Sequence, residues 1–164
     1  MSRHVISFPI EGQRFNYRVA AIIVVDGHVL LCREDDDSYT MLPGGRVELG
    51  EPSLVSLERE IAEELAMPAH IGPLMATSES FYRREDQDFH ELGFFYEVDL
   101  PGQGPNGQSP WLVRQDEGHD LSFHWVKLAG ADLEKFNLLP SWLPDFLRNL
   151  PAGPVHIVHE APTK

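Results

Sequence analysis

The sequence predicts an α/β fold, a mixed β-sheet covered by helices. Three observations predict it. Runs rich in β-branched and aromatic residues, separated by turn residues, recur through most of the chain. Helical apolar spacing appears over Ser53 to Met67 and again over Leu139 to Leu150. The two kinds of segment alternate irregularly rather than in strict βα repeats. With 164 residues, 42% of them hydrophobic and 24% charged, the chain can bury a core, and wholesale disorder is excluded. We expect one domain over residues 1–164, with an N-terminal strand or hairpin over 1–17 and a C-terminal helix and tail over 138–164.

Taken in order, residues 1–17 alternate loosely around a Glu11-Gly12 turn. Val19 to Val25 is continuously apolar, as a strand buried on both faces would be. Asp26-Gly27 is a hairpin turn signal and Val29 to Arg33 the returning strand. Glu34 to Thr40 is a polar loop. Leu54, Leu57, Ile61 and Leu65 recur at spacings of 3, 4 and 4, one apolar stripe of a helix that Pro68 stops. A strand follows from Ile71 to about Tyr82, then a charged turn from Arg83 to Asp88. In Leu92 to Leu100 the even-numbered residues are expected to point one way. His90-Glu91 could face substrate, but reads first as a strand-edge pair. Pro101 to Pro110 is an exposed loop, Leu121 to Leu128 a strand, and Val155 to Val158 an edge strand.

Lys plus Arg is 13 and Asp plus Glu is 26, a formal net charge of −13. Phosphate backbones reward clustered Lys and Arg, so no stable nucleic-acid complex is expected. Anionic membrane surfaces would repel such a chain. A phosphorylated small molecule remains an available partner if cations bridge the two. The longest apolar run has seven residues, far short of a membrane span, and Asp26-Gly27-His28 follows it where a signal peptide would need a cleavage site. Cys32 is the single cysteine, which excludes an intrachain disulfide and leads us to expect a cytoplasmic protein.

One segment concentrates chemistry. Glu60, Glu63 and Glu64 sit at i, i+3 and i+4, and at about 100° per residue they fall on one strip of the helix. Carboxylates there repel one another unless a cation neutralises them, and carboxylate oxygens suit Mg²⁺ or Mn²⁺. Arg59, four residues before Glu63, can orient a glutamate. Gly44 and Gly45 let backbone approach an ion or a phosphate closely. A P-loop is rejected, because Glu51-Pro52 stands where Lys-Ser/Thr would be required.

From Gly45 the chain runs five residues to Glu51, seven more to Arg59-Glu60, then Ile61, one residue, Glu63-Glu64, one residue, Ala66 and Met67. This closely resembles the box of the Nudix hydrolase (MutT-like) family, and six of its seven fixed positions match. The departure is Ala66, where the family has glycine. The resemblance covers roughly residues 18–128. It implies a Nudix-type α/β/α sandwich with a mixed sheet, and metal-dependent hydrolysis of a nucleoside diphosphate linked to another moiety. With Glu51 and the diglycine at their family spacing, a merely solvated acidic helix face is set aside.

The resemblance further implies Glu60 and Glu64 as principal ligands of Mg²⁺ (or Mn²⁺), with Glu63 and the Gly44 carbonyl as further ligands. Gly45, Glu51 and Arg59 would support them. Arg33, at a strand end, is the family-like basic residue for a substrate phosphate, and Glu117 resembles a late acidic residue that serves as ligand or base. Glu79 and Tyr82 are further candidates to face substrate. The general base stays open among Glu63, Glu79 and Glu117. Family habit allows a homodimer. The rival reading is a non-hydrolytic Nudix module that binds nucleotides as a sensor or scaffold.

Overall fold

The structure, a computed structural model, describes residues 3–161. Its strands are β1 (Ser7–Ile10), β2 (Gln13–Ile22), β3 (Val24–Val25), β4 (His28–Glu34), β5 (Gly44–Arg46), β6 (His70–Arg84), β7 (Gln87–Asp99), β8 (Leu112–Asp116), β9 (His119–Lys127) and β10 (Val155–Glu160). Its helices are α1 (Ser53–Leu65), α2 (Asp132–Lys135) and α3 (Leu143–Arg148).

The strands form two sheets. One runs β1-β2-β7-β6-β10, with β5 also paired to β2, and the other runs β3-β4-β9-β8. The first is mixed: β2 lies parallel to β7 and β10 parallel to β6, while β6 and β7 are an antiparallel hairpin. Strand periodicity then builds a core on each face. Val19 and Ala21 of β2 face α1 with Leu57, Ile61 and Leu65. Ala20 and Ile22, one residue out of phase, face Leu133 of α2 and Leu143 and Leu147 of α3. This is a mixed α/β fold with few helices, one layer of helix on either side of the strands.

The early hairpins follow from their turn residues, with β1 and β2 joined through Glu11-Gly12 and β3 and β4 through Asp26-Gly27. Several local expectations are corrected. The first turn of α1 is anchored by hydrogen bonds, Ser53 to Tyr96 (2.6 Å) and Ser56 to Glu51 (2.6 Å), so Leu54 stays 38% exposed. The β6–β7 turn is only Glu85-Asp86, both at positive φ, and the strands carry through Arg84 and Gln87. In β7, Tyr96 and Val98 face α1, but Phe95 is equally buried in the opposite core, because helices cover both faces. Leu112–Asp116, a segment between the Pro101–Pro110 loop and the Leu121 strand to which the sequence assigns no element, is a strand. The C-terminal helix is short: Pro140 cannot donate a helical hydrogen bond, and α3 begins only at Leu143. Among the described residues no helix is long and apolar enough to cross a membrane.

Two predictions arise from the fold. Ala66 ends α1 in the left-handed region (φ 52°), its N–H donating to the Ala62 carbonyl at 3.1 Å. A Cβ in that conformation costs about 1 kcal/mol, so Ala66→Gly is expected to raise Tm by about 2–4 °C in a melting experiment. His124, 7% exposed, bonds Ser109 (2.8 Å) and Ser122 (3.1 Å). Burial, with Arg33 nearby, holds its imidazole below the usual value. The folded state therefore binds that proton less tightly than the unfolded chain, so this contribution to stability is present above about pH 6.5 and is lost as pH falls toward the folded value. Denaturation midpoints measured from pH 7.5 to 5.5 should fall less steeply in His124→Gln than in the parent.

Candidate active site

α1 delivers two acids inward. Glu60 is 5% and Glu64 8% exposed, one helical turn apart and continuous with the buried Leu57–Ile61–Leu65 face. β5 lies against them because its glycines have no side chains. A Cβ on Gly45 would meet the Glu60 carboxylate at 2.3–2.5 Å, and one on Gly44 would meet the Val19 carbonyl oxygen at 2.1 Å. The Gly44 N–H donates to Glu64 Oε2 (3.3 Å). Burial raises both carboxyl pKa values, and that of Glu64 lies well above the ordinary carboxylate range because Glu60 adds repulsion to the desolvation.

Arg59 organises the surroundings. Its guanidinium grips Glu51 through Nε (3.3 Å) and Nη2 (3.1 Å), and Nη1 reaches Glu60 (2.9 Å). Burial works against its charge, but the bonds to Glu51 and Glu60 outweigh that and raise its pKa. Ser56 holds the other face of Glu51, whose carboxyl stays below its ordinary value, chiefly through Arg59. Glu51 is thereby occupied as a strut of the loop before α1. The sequence suggested Arg59 for Glu63, but that distance is 3.6 Å, longer than either of the other contacts.

Glu63 turns outward to Arg3, whose Nη2 lies 2.5 Å from it and whose Nη1 lies 3.0 Å from Glu117. Arg3 thus ties α1 to the β8–β9 turn, where Glu117 sits exposed at the rim. The helical strip is therefore split, with Glu60 and Glu64 inside and Glu63 at the mouth. Among the described residues the trio of potential ligands within 4.8 Å of one another is instead Glu34, Asp35 and His119, all exposed. Asp35 bonds His119 (2.8 Å) and raises its imidazole pKa.

The acids border a cleft of about 500 Å³ that also receives Gly44, Gly45, Arg18, Arg46 and the Glu117 turn. Sequence reasoning missed both arginines. Their signals were available: Arg18 immediately precedes the buried Val19–Ile23 run, and Arg46 follows the diglycine. They face each other across the β2–β5 pair. Burial and the nearby Arg18 and Arg14 charges lower the Arg46 pKa.

Two candidates lie elsewhere. Cys32 and Glu34 of β4 line the cleft, so Arg33, one residue out of phase, points the other way, with its guanidinium 5.7 Å from the Phe136 ring centroid. Glu79 pairs with His156 of β10 (2.9 Å), on the side of β6 opposite Ser80 and Tyr82. Tyr82 stacks on Phe89, donates to Glu91 Oε2 (3.0 Å) and lines a second chamber adjoining the cleft. Glu91 is no strand-edge residue, since β7 is internal to its sheet and Glu91 is 9% exposed.

Fold and cleft together define the class: a mixed α/β protein in which a diglycine strand and an acid-bearing helix form one wall of a cleft. The NUDIX domain model matches residues 15–150, and the chain belongs to the Nudix family. The fold is shared with a NUDIX hydrolase from Nitrosomonas europaea (TM-score 0.60, 16% identity, 96% of this chain and 94% of that one). It is also shared with a MutT protein from Bacillus halodurans (0.58, 18%, 90% and 91%) and an ADP-ribose pyrophosphatase from Streptococcus suis (0.52, 14%, 87% and 98%). A search of the curated proteins found no match. Nudix proteins are typically hydrolases of nucleotide-type substrates and generally use divalent metals.

Proposed function

We propose that this protein hydrolyses a nucleoside diphosphate linked to another moiety, water attacking a phosphorus, in a single domain over residues 1–164. One observation carries the reading: two buried glutamates, Glu60 and Glu64, are held one turn apart under a diglycine with a single guanidinium, that of Arg59, bonded to either of them. Burying acids without matching cations costs several kcal/mol per ion, so the arrangement is explained by a cation that binds there.

The donor set fits a hard divalent ion. Glu60, Glu64 and the Gly44 carbonyl would hold it, with Glu63 completing the set from the mouth. When bound, Mg²⁺ or Mn²⁺ supplies charge neutralisation on phosphate oxygens and a more acidic water. The chain's own residues do the rest. Arg18 and Arg46 attract and orient the diphosphate. Arg59 keeps Glu60 and Glu51 fixed. Of the candidate bases, Glu63 and Glu117 share the Arg3 guanidinium near the cleft mouth, and either would take a proton from the attacking water.

The test is a panel of nucleoside-diphosphate compounds incubated with Mg²⁺, products identified by mass, and repeated with excess chelator. Hydrolysis that stops on chelation supports the reading. Tight binding of panel members without turnover in either condition would establish the non-hydrolytic module instead.

A further inference from the structure

Three neighbouring strands carry polar side chains where a core would be apolar. Asn16 of β2, Glu91 of β7 and Ser80 of β6 are cross-strand partners in register, 3%, 9% and 2% exposed. Burying such groups costs stability unless each finds a partner. Asn16 and Tyr82 both donate to Glu91 Oε2 (3.5 and 3.0 Å), and among the described residues no hydrogen bond reaches Oε1. The Ser80 hydroxyl has no partner at all among them. The row therefore ends in an unused carboxylate oxygen and an unpaired hydroxyl, which can both donate and accept.

Ser80, Tyr82 and Glu91 form the floor of a chamber of about 520 Å³. Tyr39, Met41, Leu139 and Pro140 make its sides, and Tyr39, Met41 and Arg84 are shared with the carboxylate cleft. Arg84 donates to the Tyr39 hydroxyl (2.7 Å) and holds that ring in place. Polar side chains such as Asp37, Asn137 and His159 share the lining, but its exposed surface is mainly apolar, and the Tyr39 ring offers a face on which a flat heterocycle can pack.

We propose that this chamber is a nucleobase subsite and that Glu91 makes it selective for guanine. The inference rests on the diphosphate-hydrolase reading only for the placement of the phosphates in the adjoining cleft. The Glu91 carboxylate in the floor only accepts, so it selects an edge made of donors. Guanine presents two adjacent N–H donors, at N1 and the 2-amino group. Adenine and cytosine set their amino group beside a ring lone pair, and uracil sets one N–H between two carbonyls; a carboxylate repels each of these. A site built to hydrogen-bond a donor rejects analogues that lack it, because its own buried group is left unpaired.

The test is titration calorimetry with GMP, AMP, UMP and IMP in excess EDTA, on the parent protein and on Glu91→Gln, Ser80→Ala and Glu64→Gln. We expect GMP to bind at least tenfold more tightly than AMP or UMP, on the scale of about one or two lost hydrogen bonds. IMP, which lacks the 2-amino group, should bind several-fold less tightly than GMP, a comparison that needs no variant to fold. Glu91→Gln should abolish the preference, Ser80→Ala should weaken it, and Glu64→Gln should retain it. Equal affinity for GMP and AMP, a GMP preference that survives in folded Glu91→Gln, or no nucleotide binding overturns the proposal. Guanine preference without turnover of any diphosphate would sink the hydrolase reading alone, and turnover indifferent to the base would sink this one alone.

Discussion

Glu64→Gln is expected to abolish turnover while making the metal-free protein harder to melt. The two effects share one cause. Glu64 is a carboxylate 8% exposed, whose charged form is disfavoured by burial and by Glu60 beside it. Glutamine has nearly the same shape and keeps an oxygen for the Gly44 N–H, so the β5–α1 contact survives. What disappears is a buried negative charge. Removing one preorganised electrostatic contact from a reaction centre costs on the order of 10²–10³ in kcat. Stability should move the other way, since an uncompensated buried charge is no longer forced into the core. Initial rates with saturating Mg²⁺ and melting curves in EDTA measure the two sides. A variant that keeps more than about a tenth of parental kcat would remove Glu64 from the reaction centre.

The sequence made α1 and its acids legible because a helix is a local object. Spacing alone puts Glu60 and Glu64 on adjoining turns, and the Asp26-Gly27 and Glu11-Gly12 turns announce their hairpins in the same way. What could not be read was phase and neighbourhood. Arg33 sits one residue away from cleft-facing positions and Glu79 one residue from the chamber-facing Ser80, and in a strand one residue reverses the face. Glu91 looked like an edge residue because strand order is set by long-range pairing: β7 is internal only because β2 arrives parallel to it from the other end of the chain. Arg3 and Arg18 lie outside the motif that carries the acids, Arg46 occupies one of its unspecified positions, and only folding brings the three to the same cleft. Helical apolar spacing near the C-terminus overstated α3, since Pro140 blocks the pattern from becoming a longer helix.

Arg59→Ala is the substitution expected to damage fold and site together. The guanidinium is 20% exposed at its side chain and lies within 4 Å of four acids, Glu48, Glu51, Glu60 and Glu63, of which three bear on the site. Glu51 fixes the loop entering α1, Glu60 faces the cleft, and Glu63 stands at its mouth. Truncating one partner of a buried ion pair costs about 3–5 kcal/mol, because the other charge is left unpaired, and partial exposure puts this case near the lower end. A loss of about 3 kcal/mol corresponds to roughly 6–12 °C in Tm for a chain of this size. Arg59→Lys separates charge from geometry: lysine can neutralise one carboxylate but cannot span Glu51 and Glu60 with a planar fork. The lysine variant should therefore recover part of the stability and little of the activity, as melting curves and kcat measured side by side would show. If lysine restored full turnover, Arg59 would be acting as a point charge, and the positioning of Glu60 would have to come from Gly45 and the packing of α1 alone.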